Sequence, residues 1–142
     1  MSKTVSLVNG RNRVDVSAVL DNSSPDTAAD ARVSVEVHSN GFSGRCEAFV
    51  TRDSLRRFCT DLRALNVSLA GEAVLESISP DKLVIRIGAV TGRGHLAVSG
   101  QIGCHIVDEN SRQWHAVHFG FEFEQPQLAE AVRTDWVQQN AE

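Results

Sequence analysis

The sequence predicts an α+β fold: a single domain, one curved antiparallel sheet of about eight strands with two helices, in the order ββββαββββα. Three features lead there. Most of the chain alternates apolar and polar residues with the period of two that a half-buried strand requires. Two segments switch to the 3.6-residue period of an amphipathic helix. The links between consecutive strands are turns or modest loops, too short for the crossovers that parallel neighbours need. At 142 residues the whole chain, 1–142, has the length of one ordinary domain.

Thr4–Val8 is the first short strand. Asn9-Gly10 then offers a two-residue hairpin turn, since both residues tolerate positive φ. Arg13–Leu20 alternates, with Val14, Val16, Ala18 and Leu20 on one face. Residues 21–31 contain Pro25 and no apolar period, and are expected to form a mobile loop. Arg32–Ser39 sets Val33, Val35 and Val37 against Ser34, Glu36 and His38. Asn40-Gly41 turns the chain, and Phe42–Val50 returns it. Thr51 is placed to cap a helix, with Asp53 in its first turn. Leu55, Phe58, Cys59, Leu62 and Leu65 form the apolar stripe of that helix. Its four arginines, Arg52, Arg56, Arg57 and Arg63, are mixed with Asp53 and Asp61, which fits a solvated face better than a phosphate site.

The second half repeats the layout. Gly71 closes the connection, and Glu72–Ile78 and Lys82–Val90 are strands joined by Ser79-Pro80-Asp81. Thr91-Gly92-Arg93-Gly94 has the glycines of a phosphate loop, but no Lys-Ser/Thr follows and the chain continues as strand, so it is expected to be a hairpin turn. His95–Val107 points Leu96, Val98, Gly100, Ile102, Cys104 and Ile106 inward, and Gly100 and Gly103 suggest a bulge or bend. Asp108–Arg112 is a polar turn. Gln113–Glu124 places Val117, Phe119, Phe121 and Phe123 on one face, which something large must cover. Pro126 suits the first position of a C-terminal helix striped by Leu128, Ala131, Val132 and Trp136. The tail, 138–142, is expected to fray.

Composition removes several functional classes. The net charge is −4, whereas a general nucleic-acid binder is usually basic. Apolar runs are four residues or fewer, so no transmembrane helix is expected. The start, MSKTVSLVNG, lacks the apolar core of an export signal, and a cytoplasmic location is expected. Cys46, Cys59 and Cys104 form no CxxC pair and no even framework, and fit core packing. His115 and His118 point to opposite faces of a strand, and His95 and His105 would lie about 33 Å apart along one. No metal or other cofactor is expected.

Several segments carry a further signal together. They are Asn40-Gly41-Phe42-Ser43-Gly44, the stripe Leu55, Phe58, Leu62 and Leu65, and Gly71-Glu72-Ala73 with Leu75. They continue with Gly92-Arg93-Gly94-His95-Leu96-Ala97-Val98-Ser99-Gly100 and Phe119-Gly120-Phe121-Glu122-Phe123-Glu124-Gln125, with Leu128 beyond. Over roughly residues 32–137 the chain resembles the WapI-type immunity proteins of bacteria. The resemblance implies a cytoplasmic, non-enzymatic protein that binds and blocks one domain of a contact-dependent toxin, in the named case a nuclease acting on tRNA. It transfers no contact residue, because the matching positions are turn glycines and core apolar residues.

An antidote to a nuclease competes with an anionic substrate, and acidic faces suit that task. Glu122 and Glu124 share the outer face of one predicted strand with His118, and Glu36 and His38 share that of another. These five are the candidate toxin-binding residues. Two alternatives remain: an enzyme with a site near His95, His118 and Glu122, though no known catalytic signature supports a reaction class, and a ligand-binding β-cup with a cavity lined by Phe119, Phe121 and Ile85.

Overall fold

The computed structural model describes residues 3–20 and 30–141. The first half holds β1 (Val5–Asn9), β2 (Asn12–Leu20), β3 (Asp30–Ser39), β4 (Phe42–Thr51) and α1 (Arg52–Ser68). The second holds β5 (Glu72–Glu76), β6 (Leu83–Ala89), β7 (His95–Val107), β8 (Arg112–Glu124), α2 (Gln125–Ala131) and α3 (Asp135–Asn140). The class is α+β, but the single curved eight-stranded sheet is not formed. Instead there are two open four-stranded antiparallel sheets, ordered β1-β2-β3-β4 and β5-β6-β7-β8. Alternation specifies which face of a strand is buried, not which strand lies beside it. Here α1 takes the chain out of the first sheet after β4, and β5 starts a second ladder.

The turns show how local chemistry sets each register. Ser39 pairs with Phe42, and Asn40 and Gly41 between them both have positive φ, as a two-residue hairpin of this kind requires. In the first hairpin Asn9 pairs with Asn12, so the turn residues are Gly10 and Arg11, one position later than the Asn9-Gly10 reading. Only Gly10 is left-handed there. Lys82 N–H donates to the Ser79 carbonyl at 3.4 Å across Pro80 and the left-handed Asp81, a type II turn. Asp30 and Ala31, assigned from sequence to the mobile loop, open β3, where Ala31 is buried opposite Leu20. The rest of that expected loop, 21–29, lies outside the described residues.

Thr51 Oγ1 accepts from Ser54 N–H at 3.1 Å, which satisfies one free amide at the start of α1. Leu55, Phe58, Cys59, Leu62 and Leu65 are all buried. They join the inner faces of both sheets in one contiguous core. From Gly44 to Ala48 the inner face of β4 is narrow, with only Gly44, Cys46 and Ala48 before Val50. A Cβ on Gly44 would lie 2.9 Å from Val117 Cγ2 and 3.3 Å from Ile102 Cδ1, so the second sheet packs directly on the β4 backbone there.

Neither glycine of β7 makes a bulge. β7 pairs with β8 in unbroken register from His95↔Glu124 to Val107↔Arg112. Gly100 is needed because a Cβ would collide with the Val84 carbonyl of β6, and Gly103 because the Trp114 ring occupies that space. The C-terminal helix is two short helices, not one. Thr134 is buried in an extended conformation and opens α3, with Asp135 in its first turn. Residues 138–140, placed by the sequence in a fraying tail, lie within α3, and the Gln138 and Asn140 side chains donate to the carbonyls of Val132 and Trp136.

The outer edge of β1 is closed by a side chain. Val8 N–H donates to Gln127 Oε1 at 2.7 Å, and Gln127 Nε2 donates to the Val8 carbonyl at 2.8 Å. The amide thus stands in for a neighbouring strand.

Three outcomes follow for stability. Gly100→Ala should cost about 2–4 kcal/mol in urea unfolding, as overpacking against backbone does, whereas Gly92→Ala, with open space around it, should be near neutral. Gln127→Ala should cost about 1–2 kcal/mol by removing both bonds to Val8. Burial pushes the Cys46 thiol up to about 11 and the Cys59 thiol up to about 12. Both stay protonated at neutral pH, so their contribution is intact below the unfolded value near 9 and is lost as pH rises towards 11 and 12. Iodoacetamide at about pH 8 should therefore label the partly buried Cys104 first and reach Cys59 only on unfolding.

Candidate functional site

The five candidate residues fall on the outer faces of two different sheets. Glu36 and His38 lie on β3, with His38 Nε2 3.8 Å from Glu36 Oε1. The register sets Ser6, Asp15, Glu36 and Arg45 side by side across the first sheet, and Arg13 beside His38. Asp15 is already engaged: it accepts from Ser6 Oγ at 2.6 Å and from Arg13 Nε at 2.8 Å. Its hydrogen bond and then its charge raise the Arg13 guanidinium above its ordinary value. With Arg13, Arg32 and Arg45 exposed on the same face, this surface is of mixed charge rather than acidic.

His118, Glu122 and Glu124 share the outer face of β8, an edge strand. Across the ladder His95 faces Glu124, with Nδ1 3.4 Å from Oε1; Ala97 faces Glu122 and Gln101 faces His118. The Glu122 carbonyl accepts from Asn9 Nδ2 at 2.7 Å, which ties this end of the edge to the first sheet. Between Glu122 and His118 lies Gly120, opposite Ser99, so the surface there is flat.

The alternative enzyme site does not assemble. Glu122 and His118 are four residues apart on one strand, about 13 Å, and both are exposed. Neither His95 nor His118 lines any of the larger clefts. A cleft of about 550 Å³ beside Val8, Gln127 and Glu124 holds Glu122 but no histidine. Another, of about 490 Å³, lies between β2, α1 and α3. Its titratable groups are Lys3 and Asp135, with no nucleophile–base pair. Among the described residues no three His, Cys, Asp or Glu side chains converge as a metal site would require. The β-cup is also absent, because Phe119, Phe121 and Ile85 are packed into the shared core and line none of these clefts.

Sequence reasoning missed Trp114. Its ring covers Gly103 and lies 4.9 Å from the His105 ring, on the same outer face as His118, Glu122 and Glu124. The signal was its parity. In β8 the aromatic residues occupy odd positions and point inward, so a tryptophan at an even position is an aromatic side chain on the wrong face for the core.

These flat, exposed faces without a reactive pocket suit contact with another macromolecule. No curated protein and no solved structure matches the chain significantly. A family model described as the immunity protein WapI-like family matches residues 9–136, from the end of β1 into α3. That match spans nearly every element of both sheets, and the chain belongs to the immunity protein WapI-like family.

Proposed function

We propose that this protein binds and neutralises one cognate bacterial toxin domain, of the nuclease type, in the cytoplasm of the cell that makes it. Family membership is the observation that carries this reading, and it supports a protein-binding, non-enzymatic role. The contact is assigned first to the β8 face with His118, Glu122 and Glu124. Both carboxylates are exposed, Glu122 across from Ala97 and Glu124 across from His95, where a basic partner surface reaches them. Glu36 and His38 are a secondary patch, because neighbouring arginines offset their charge. The chain, 1–142, acts as one domain, supported by the single core that both sheets share. No helix among the described residues is long and apolar enough to cross a membrane.

The test is rescue. A candidate toxin domain, sought as the C-terminal tip of a large secreted protein encoded beside this gene, is expressed in a bacterial host, with and without this chain. Restored growth and a purifiable complex are expected; absence of both rejects the assignment. With a complex in hand, the pair Glu122→Lys and Glu124→Lys should slow association by about tenfold at low salt and by much less at high salt, because steering charges act on the encounter.

A further inference from the structure

We propose that the distal half of the β7–β8 ribbon is the apolar anchor of the partner-binding surface, with Trp114 and Val107 seated in an apolar patch of a partner protein that carries cationic groups around it. This rests on the protein-binding reading above and deepens it.

The ribbon outruns its sheet. β6 pairs with β7 only as far as Leu83↔Ile102, and Gly103 N–H makes one last bond to the Lys82 carbonyl at 2.9 Å. β7 and β8 then continue for five more pairs, Gly103↔Ala116 to Val107↔Arg112, with no third strand alongside among the described residues. A two-stranded ribbon is marginal by itself, and this stretch adds little to the core. Its inner face looks across a cleft of about 260 Å³ towards Ser43 and Arg45 of β4. Its outer face carries His105, Val107, Arg112 and Trp114, all exposed among the described residues, with Arg112 directly across from Val107.

That outer face is apolar where a monomer has no need of it. Val107 is 74% exposed and Trp114 41% exposed. Trp114 is nevertheless held in place, its ring over Gly103 and tilted against His105. A tryptophan already fixed in one pose loses little freedom on binding, and such residues dominate interface energetics.

Charge decides the occupant. The turn beyond Val107 exposes Asp108 and Glu109, and the same face of β8 ends at Glu122 and Glu124. The apolar stretch therefore has carboxylates at both ends, offset by Arg112 at one end and by His95 at the other only when protonated. A second copy laid on this face would bring carboxylates against carboxylates in either strand direction, which costs affinity. A partner with an apolar centre and a cationic rim meets no such penalty.

The probe is a catalytically inactive variant of the toxin domain from the adjoining gene, titrated calorimetrically against the full chain. If the unmodified chain neither binds nor rescues, the toxin-neutralising reading itself fails. Once it binds, Val107→Asp and Trp114→Ala should each weaken binding at least thirtyfold. Val67→Asp, at an 86% exposed position on α1, should change it less than threefold. Val107 is too exposed for its substitution to disturb the core, so that variant keeps the test valid if Trp114→Ala unfolds the ribbon. Binding by Val107→Asp within threefold of the unmodified chain overturns the anchor. So does sedimentation of the unmodified chain as a dimer that Val107→Asp converts to monomer, since the face would then serve self-association.

Discussion

Leu55, Phe58, Cys59, Leu62 and Leu65 present one helical stripe to two sheets at once, and the architecture depends on that shared contact. Neither four-stranded meander has a partner layer of its own. Each exposes an inner row of aliphatic side chains that must be covered. Helix α1 covers part of both, and the small inner residues of β4 let β7 and β8 cover the rest directly. The Phe58 and Trp136 rings stack with centroids 6.4 Å apart, which ties α3 to the same contact. Removing a methylene from the middle of this stripe would loosen both sheets together, because a packed interior relaxes only partly around a void.

Two open sheets leave four edge strands, and each exposed edge invites another chain. The molecule closes them unevenly. Gln127 imitates a strand beside Val8, Asn9 holds the Glu122 carbonyl, and Ile78 N–H donates to Phe49 O at the end of β4. All three act near the junctions between layers. The distal β7–β8 ribbon has no comparable cover. The uneven closure separates a region built for internal cohesion from one left open to other molecules.

Much of the local structure was legible in the sequence because it is set by local chemistry. The period of two gave the strand faces, Thr51 gave the cap of α1, and Pro80 gave its turn. What failed was non-local. Nothing in an alternating strand records its neighbour, so one sheet could not be told from two. Gly100 and Gly103 were recognised as constrained but for the wrong reason, since the constraints are the Val84 carbonyl and the Trp114 ring rather than a bulge. The break at Thr134 was overlooked because Val132 and Trp136 suit a continued helical stripe, although Thr-Asp is a good helix start. The chemistry of the candidate site was legible residue by residue. Its division between two sheets, and the place of Trp114 within it, required the register.

The lock between Trp114 and Gly103 has an evolutionary consequence. It stabilises the ribbon from within, using two diagonal neighbours on one face: Trp114 pairs with His105, Gly103 pairs with Ala116, and the Trp114 ring reaches back over Gly103. Residues 105 to 112 are all exposed, so the core does not depend on their identity. Substitutions there can accumulate without the compensating repacking that interior changes demand. A scaffold arranged in this way tolerates change on its exposed ribbon while keeping its fold.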